Sequence, residues 1–300
     1  PLEKMMPLLD KLREQYGVGP LCSELHIAPS TYYHCQQQRH HPDKRSARAQ
    51  RDDWLKKEIQ RVYDENHKVY GVRKVWRQLL REGIRVARCT VARLMAVMGL
   101  AGVLRGKKVR TTISRKAVVA GDRVNRQFVA ERPDQLWVAD STYVSTWQGV
   151  VYVAFIIDVF AGYIVGWRVS SSMETTFVLD ALEQALWARR PSGTVHHSDK
   201  GSQYVSLAYT QRLKEAGLLA STGSTGDSYD NAIAESINGL YKAEVIHRKS
   251  WKNRAEVELA TLTWVDWYNN RRLLERLGHT PPAEAEKAYY ASIGNDDLAA

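Results

Sequence analysis

The spacing of the apolar residues changes near Pro133, and this change sets the architecture of the chain. Before it, apolar residues recur at helical spacing. After it come three runs rich in β-branched and aromatic residues, separated by short turns, at residues 136–144, 150–159 and 163–169. Consecutive runs of this kind predict an antiparallel meander. The chain is therefore expected to be helical before Pro133 and to contain a sheet after it.

Helical and extended patterns alternate beyond the meander. In chain order the sequence predicts a helix at 174–190, a strand at 194–197, a helix at 206–216, a strand at 218–221 and a final helix within 224–244. The resulting order, βββαβαβα, predicts an α/β core with a mixed five-stranded sheet and helices on its faces.

Charge is concentrated in the helical part of the chain. Residues 1–116 hold 25 lysines and arginines against 11 acidic residues, whereas residues 117–300 hold 18 against 22. The asymmetry favours a polyanion-binding region joined to a domain with another task, although a basic surface without a partner is the simpler alternative.

The first segment reads as a helix-turn-helix. Helices are predicted at 8–16 and 19–25, and a third begins at Pro29 or Ser30. The side chains expected to reach DNA are Ser30, Thr31, Tyr32 and His34. A helical packing module without nucleic acid remains the alternative, and residues 40–51 read as a polar linker.

A second helical region and a basic segment follow. Apolar positions recur at helical spacing from Asp53 and again at 90–98. The cations left to face outward and contact phosphates are Arg73, Lys74, Arg77, Arg81, Arg85, Arg88 and Arg93. Residues 105–128 form a basic linker in which Lys107 and Lys108 are candidates to follow the DNA backbone.

Cysteine usage gives little support to a disulfide or zinc framework. Cys22, Cys35 and Cys89 are odd in number and follow no paired spacing, which predicts free thiols. A zinc site built from the first two with His26 and His34 is conceivable, but the spacing matches no standard ligand pattern.

Three carboxylates fall at functionally suggestive places in the predicted core. Asp140 lies within a strand, Asp199 where a strand ends, and Glu235 on the final helix, with Asn231, Asn238 and Lys242 on the same helical edge. Asp199 follows Asp140 by 59 positions, and 35 residues lie between Asp199 and Glu235. Carboxylate oxygens suit Mg²⁺ or Mn²⁺, and such a set can hold two ions about 4 Å apart for phosphodiester chemistry.

Six short motifs accompany these carboxylates between about Tyr70 and Glu286. They are Tyr70-Gly71-Val72-Arg73, Asn125-Arg126-Gln127-Phe128, Leu136-Trp137-Val138-Ala139-Asp140-Ser141-Thr142-Tyr143, His196-His197-Ser198-Asp199-Lys200-Gly201-Ser202-Gln203-Tyr204, Ser228-Tyr229-Asp230-Asn231-Ala232-Ile233-Ala234-Glu235-Ser236 and Tyr268-Asn269-Asn270-Arg271-Arg272. Together they resemble the DDE transposases of the retroviral integrase superfamily, most closely the bacterial insertion-sequence-three family.

The resemblance implies a ribonuclease-H-like core with Asp140, Asp199 and Glu235 as ligands of Mg²⁺ or Mn²⁺. It also implies that Lys242 contacts the element's terminal DNA, and Asn231 on the same edge is assigned with it. The partners would be double-stranded DNA, as terminal repeats and target, and further copies of the chain assembled on that DNA. Two positions depart from the family pattern: Ser141 replaces a usual Ile, and Leu274 replaces a usual His.

Several other polar and aromatic residues admit two interpretations. Asp158 is either a structural acid at a strand end or a further ligand, and His196 and His197 either pack or orient a ligand. Trp264, Trp267 and Tyr268 recur at helical spacing and are expected in the core rather than stacked on bases. Arg271 and Arg272 could hold phosphate or end a solvated helix.

The expected organisation is a helix-turn-helix at 1–42, a second helical DNA-binding domain at 43–104, a basic linker at 105–130, a catalytic core at 131–287 and a tail at 288–300. No apolar run is long enough to cross a membrane, and the expected location is the cytoplasm, in association with the bacterial nucleoid. The chain has no initiator Met and no zipper heptads, so we expect a downstream reading-frame product that acts with an upstream partner.

The expected activity is that of a transposase that cleaves and transfers DNA strands. The alternatives are a DNA-binding regulator with an inactive integrase-like scaffold and a structure-selective nuclease.

Overall fold

The computed structural model describes residues 2–104, 106, 130–198, 201–222 and 232–299. The helices that precede the sheet are α1 (Leu2–Tyr16), α2 (Val18–Glu24), α3 (Pro29–His40), α4 (Ala47–Glu65), α5 (Val72–Arg81) and α6 (Arg88–Val97). The strands are β1 (Leu136–Thr146), β2 (Gly149–Asp158), β3 (Tyr163–Ser170), β4 (Val195–Ser198) and β5 (Leu219–Thr222). The helices of the core are α7 (Thr175–Arg189), α8 (Leu207–Glu215), α9 (Ala232–Glu244), α10 (Arg254–Asn270) and α11 (Pro282–Ala299).

The described strands form one mixed sheet in the order β3-β2-β1-β4-β5. The first three pair antiparallel, β4 runs parallel to β1, and β5 runs parallel to β4. The predicted α/β core with a five-stranded, ribonuclease-H-like sheet and preceding helices is confirmed.

Two segments contain more helix than the sequence predicts. Residues 40–51 were expected to be a linker, but a single 3-10 turn occupies Pro42–Lys44 and α4 already begins at Ala47. The helix begins there because the Ser46 hydroxyl accepts a hydrogen bond from the Ala49 amide at 3.2 Å, which caps its first turn. Residues 288–299, expected to be a tail, continue α11.

The strand alternation sends side chains to two helical layers. On β1, Trp137 and Ala139 face the layer of α7 and α8, whereas Val138 faces the layer of α9 and α10. Gly166 lets α7 approach β3 closely, because a Cβ at that position would lie 2.2 Å from the carbonyl oxygen of Ala181. Alternation therefore directs Asp140 toward the α9 side of the sheet.

The helical module of α4, α5 and α6 is packed against the core, and one apolar cluster spans both. The Tyr70 hydroxyl donates to the Arg271 carbonyl at 3.2 Å and accepts from the Leu273 amide at 2.9 Å. The Trp267 indole donates to the Asn66 side-chain oxygen at 3.0 Å. We call these five residues the seam. The motif at 70–73 and the motif at 268–272 thus meet through the buried Tyr70 side chain.

Candidate active site

Asp140 lies in the middle of β1, opposite Phe155 of β2, and its side chain is half-buried. One carboxylate oxygen, Oδ1, accepts a hydrogen bond from the Ser141 amide at 2.8 Å. The other, Oδ2, accepts a hydrogen bond from Nδ2 of Asn238 on α9 at 2.8 Å. The carboxylate is therefore held between its own strand and the helix that carries Glu235.

Glu235 and Asn238 lie one turn apart on α9 and so project from the same face of the helix. Because Asn238 touches Asp140, this face of α9 is directed at β1. Glu235 is half-buried, in the first turn of the helix. The structure thus brings together the elements that carry two of the three predicted ligands.

Asn238 has a role at the site that the sequence did not reveal. Its side chain is 7% exposed, and its amide orientation is fixed because a carboxylate can only accept hydrogen bonds. Its Oδ1 is buried without a hydrogen-bond partner among the described residues. The spacing of three residues from Glu235 could have drawn attention to it, although spacing alone cannot identify its partner.

Asp199 lies outside the described residues, as do Asn231, Lys107 and Lys108. The residue before Asp199, Ser198, ends β4 and pairs in parallel with Ala139, the residue before Asp140. The predicted triad therefore remains a prediction.

The donors around Asp140 fit a hard divalent cation. They are oxygen atoms of a half-buried carboxylate, with the buried, unpartnered Asn238 Oδ1 beside it. Mg²⁺ and Mn²⁺ prefer such oxygen donors, supplemented by water. Asp140 and Glu235 are the described residues that would hold the ion.

A buried ion pair fixes the C-terminal end of α9. Arg272 Nη2 lies 2.5 Å from Glu244 Oε1 and Arg272 Nε lies 3.0 Å from Oε2, while the Trp264 indole donates to Oε2 at 3.0 Å. Burial opposes the charge of Arg272, but the Glu244 carboxylate outweighs it and raises the pKa of Arg272. Both earlier interpretations of Arg272, a phosphate contact and a solvated helix end, are corrected by this pair.

The residues near Arg272 fall into an exposed and a buried group. Arg271 is exposed and lies 3.5 Å from Glu65 of α4. Trp264, Trp267 and Tyr268 are buried, which confirms their assignment to the core.

Lys242 lies two turns after Glu235, with its ammonium 5.0 Å from the centre of the Tyr143 ring. It lines a groove of about 490 Å³ between the end of β1 and the segment that follows α9. Lys242 follows Asn238 by four residues on α9 and so lies on the helical edge from which Asn238 reaches Asp140.

The remaining core residues with open interpretations have structural contacts. Asp158 ends β2 opposite Trp137 and accepts hydrogen bonds from the Asp134 amide at 2.6 Å and the Phe160 amide at 3.0 Å. Burial raises the pKa of Asp158 to about 7. These contacts support the structural interpretation of Asp158.

The two histidines of β4 are buried between strand and helix. His196 Nε2 lies 3.1 Å from the Tyr209 hydroxyl, and burial lowers the pKa of His196 to about 4. His197 Nδ1 lies 3.0 Å from the Ser221 hydroxyl. Both contacts support the interpretation in which His196 and His197 pack in the core.

The candidate DNA contacts on α3 differ in their exposure to solvent. Ser30 is exposed and Thr31 is half-buried. Tyr32 is only 1% exposed, and its hydroxyl donates to Asp10 of α1 at 2.8 Å. The interpretation of Tyr32 as a DNA contact is therefore wrong, because α3 buries this ring and exposes that of Tyr33.

Six of the seven cations on α5, α6 and their connection are exposed, as expected. Arg73 pairs with Glu275 of the core at 2.5 Å, Arg93 pairs with Asp52 at 2.8 Å, and Arg77 lies 4.7 Å from the Trp76 ring centre. Lys74 is the exception. It is half-buried above Tyr70 at the seam, where burial lowers its pKa to about 8. The expectation that Lys74 faces outward is corrected.

The three cysteines are free thiols, as predicted. Across the described ranges, His, Cys, Asp and Glu form no group of three or more able to hold a metal ion, and this includes the zinc site considered near Cys22. Among the helices that the structure describes, none combines the length and apolar character needed to cross a membrane.

Comparison with known proteins identifies the relatives of the chain. Integrase core domain models match residues 130–228 and 216–282, and an HTH-like domain model matches residues 50–108. The chain is 98% identical over 296 residues to the transposase for insertion sequence element IS629 of Shigella sonnei, which covers 99% of this chain and 100% of that protein. It is 54% identical over 273 residues to a putative transposase for insertion sequence element IS986/IS6110 of Mycobacterium tuberculosis, covering 88% and 96%.

Among solved structures, the chain is similar to the HTLV-2 integrase catalytic core domain in complex with magnesium. The TM-score is 0.43 at 13% identity, and the match covers 52% of this chain and 98% of that one. On the strength of the sequence relatives, the chain belongs to the integrase-core transposases of bacterial insertion sequences, in the insertion-sequence-three family.

Proposed function

We propose that this transposase binds the terminal inverted repeats of its element and catalyses metal-dependent phosphodiester hydrolysis and strand transfer. Asp140, Asp199 and Glu235 would hold Mg²⁺ or Mn²⁺, as two ions. The observation that carries the proposal is the 2.8 Å hydrogen bond between Asn238 and Asp140, because it directs the Glu235 face of α9 at the strand that carries Asp140. The pairing of Ser198 with Ala139, one position before each aspartate, supports Asp199 as the third ligand.

The chain's own residues would orient the reacting DNA. Asn238 holds the Asp140 carboxylate in one orientation, and Lys242 offers its ammonium to a phosphate beside the site. Two divalent ions about 4 Å apart would supply activation of the attacking oxygen and stabilisation of the departing one. Hydrolysis would break the bond between phosphorus and the 3′-oxygen at the element end, which frees a 3′-hydroxyl and leaves the phosphate on the flanking strand. This hydroxyl would then attack a target phosphorus in line, joining the element's 3′ end to the target's 5′-phosphate and releasing the displaced target 3′-oxygen as a hydroxyl.

DNA recognition would belong to the helices before the sheet. The match of the HTH-like domain and the exposed arginines of α5 and α6 support a phosphate-binding surface, with Ser30 and Thr31 as further candidates and Lys107 and Lys108 in the linker. The proposed boundaries are 1–42, 43–104, 105–130, 131–287 and 288–300. Because two element ends must be held together, we propose oligomerisation on double-stranded DNA at the nucleoid, together with an upstream reading-frame product.

The test is strand cleavage and strand transfer on duplexes that carry the element's ends, with and without Mg²⁺. The Asp140→Asn variant should lose cleavage and retain DNA binding. Asp180→Asn is the matched control, because Asp180 is an exposed carboxylate of α7 on the opposite face of the sheet, and it should retain both activities. Retained cleavage by the Asp140→Asn variant would refute the proposal.

Two other results would favour the alternatives. Wild-type protein that binds end DNA but cleaves nothing in Mg²⁺ or Mn²⁺ would indicate a regulator with an inactive core. Cleavage with no preference for the element's ends would indicate a structure-selective nuclease.

A further inference from the structure

The groove beside Lys242 has the size of a small-ligand site. It lies between the end of β1 and the segment after α9, and its volume is about 490 Å³. Sites for small organic ligands span about 300–1,000 Å³, so the groove accommodates a single nucleotide but not a duplex. The residues that line it include Tyr143, Trp147, Lys242, Lys249 and Trp251.

The charge of the groove complements a phosphate. Lys242 and Lys249 lie over aromatic rings, at 5.0 Å from the Tyr143 centre and 4.3 Å from the Trp251 centre. No carboxylate is among the described residues that line the groove, and neither lysine forms an ion pair with a carboxylate in the part of the chain that the structure describes. Both ammonium groups therefore remain available for an anion.

The groove also presents a flat aromatic surface to solvent. Trp147 lies in the two-residue turn between β1 and β2 and is 74% exposed. The turn is anchored, because the Trp147 amide donates to the Trp251 carbonyl at 3.0 Å and the Thr146 hydroxyl donates to the Gly149 carbonyl at 2.8 Å. The anchored backbone fixes the position from which the exposed indole projects, beside two cations.

Aromatic side chains stack on bases whose faces are uncovered, and in a paired duplex each base face is covered by its neighbour. Resting on the proposed DNA-processing function, we infer that this groove binds one unpaired nucleotide of the DNA substrate. The base stacks on Trp147, and the adjoining phosphates contact Lys242 and Lys249. The structure thereby assigns to the β1–β2 turn a preference for DNA that is locally unpaired near the reacting end.

The experiment measures binding of the full chain, without divalent metal, to two probes. One is a 30-base-pair duplex with a three-nucleotide single-stranded end carrying 2-aminopurine, and the other is the fully paired duplex of the same sequence. Wild-type protein should bind the unpaired probe more tightly and quench its 2-aminopurine fluorescence. Because stacking contributes about 1–3 kcal/mol per base, Trp147→Ala should reduce that preference by about five- to 150-fold and abolish the quenching.

Two further variants make the result specific. Trp147→Phe keeps an aromatic face and should restore most of the quenching. Trp187→Ala removes another exposed tryptophan, 81% exposed on α7 across the sheet, and should leave preference and quenching at wild-type levels. Trp147 is too exposed for its truncation to open a cavity, so folding should be preserved, as circular dichroism would verify.

Equal preference in wild type and Trp147→Ala, or absence of quenching in the wild type, would overturn the inference. Because these readouts require no cleavage, they are separate from the test of the proposed chemistry. Trp147-dependent stacking without metal-dependent cleavage would leave the inference standing while the proposed function fails. Metal-dependent cleavage without Trp147-dependent stacking would refute the inference and leave the proposed function standing.

Discussion

The Arg272–Glu244 ion pair provides a quantitative test of how the catalytic helix is held. The two side chains are 5% and 4% exposed, so removing one of them leaves the other charge buried without its ionic partner. For Arg272→Met, breaking a buried pair predicts a loss of about 3–5 kcal/mol of unfolding free energy. In this variant Glu244 keeps its hydrogen bond from the Trp264 indole. The expected loss of unfolding free energy is therefore at the lower end of this range, at about 3 kcal/mol.

The matched control is Arg73→Met. Arg73 pairs with Glu275 at 2.5 Å but the two side chains are 56% and 68% exposed, and exposed pairs contribute only about 0–1 kcal/mol. The measurement is urea unfolding followed by tryptophan fluorescence. The double variant Arg272→Met/Glu244→Gln removes both charges and should recover most of the lost stability.

The reasoning is refuted if Arg272→Met and Arg73→Met differ by less than about 1 kcal/mol. Arg272→Met should also lower strand cleavage more than it lowers DNA binding. The reason is that Glu244 ends the helix on which Glu235, Asn238 and Lys242 lie.

Three further predictions concern separate parts of the core and the seam. Asn238→Asp places a second carboxylate beside Asp140 and should lower Mg²⁺-dependent strand cleavage by about tenfold or more, whereas Asn238→Ser should be milder, as single-turnover assays would measure. Asp158→Asn should lower the unfolding free energy by about 1 kcal/mol in chemical denaturation, because an amide group can accept only at its oxygen and one of two partly buried backbone N–H groups loses its partner. The lowered pKa of Lys74 means that, between about pH 8 and pH 10.5, the unfolded chain binds a proton that the folded chain does not. Unfolding free energy of the wild type should therefore rise across that window relative to Lys74→Met, and parallel pH profiles would contradict the burial of this amine.

The sheet was predictable because its signal is local. Residues 136–146 and 149–158 are rich in β-branched and aromatic side chains, and their short connection leaves antiparallel pairing as the simple solution. Asp140 and Glu235 could be selected because a carboxylate inside such a strand, and another on the later helical edge, are unusual in combination with the surrounding motifs.

The contacts of the site could not be predicted, because they join residues that are distant in the chain. Asn238 and Asp140 are separated by 98 positions, and only the packing of α9 on β1 shows that they touch. Arg272 reads from the sequence as a cation at a helix end, and its burial depends on Glu244, 28 positions earlier. Tyr32 and Tyr33 are neighbours on α3, and the partner that draws one of them inward, Asp10, lies on α1.

The seam also limits how such a transposase can evolve. Its Tyr70 hydroxyl lies between the Arg271 carbonyl and the Leu273 amide, and Asn66 is matched to Trp267. A recombination event that imported a foreign helical module would carry new DNA specificity but would need complementary residues on the recipient core. Changes of specificity should therefore arise by drift on exposed surfaces of the module. Within the seam, Asn66 and Trp267 should vary together between lineages because their side chains bond each other, whereas Tyr70 bonds backbone atoms and constrains only its own position.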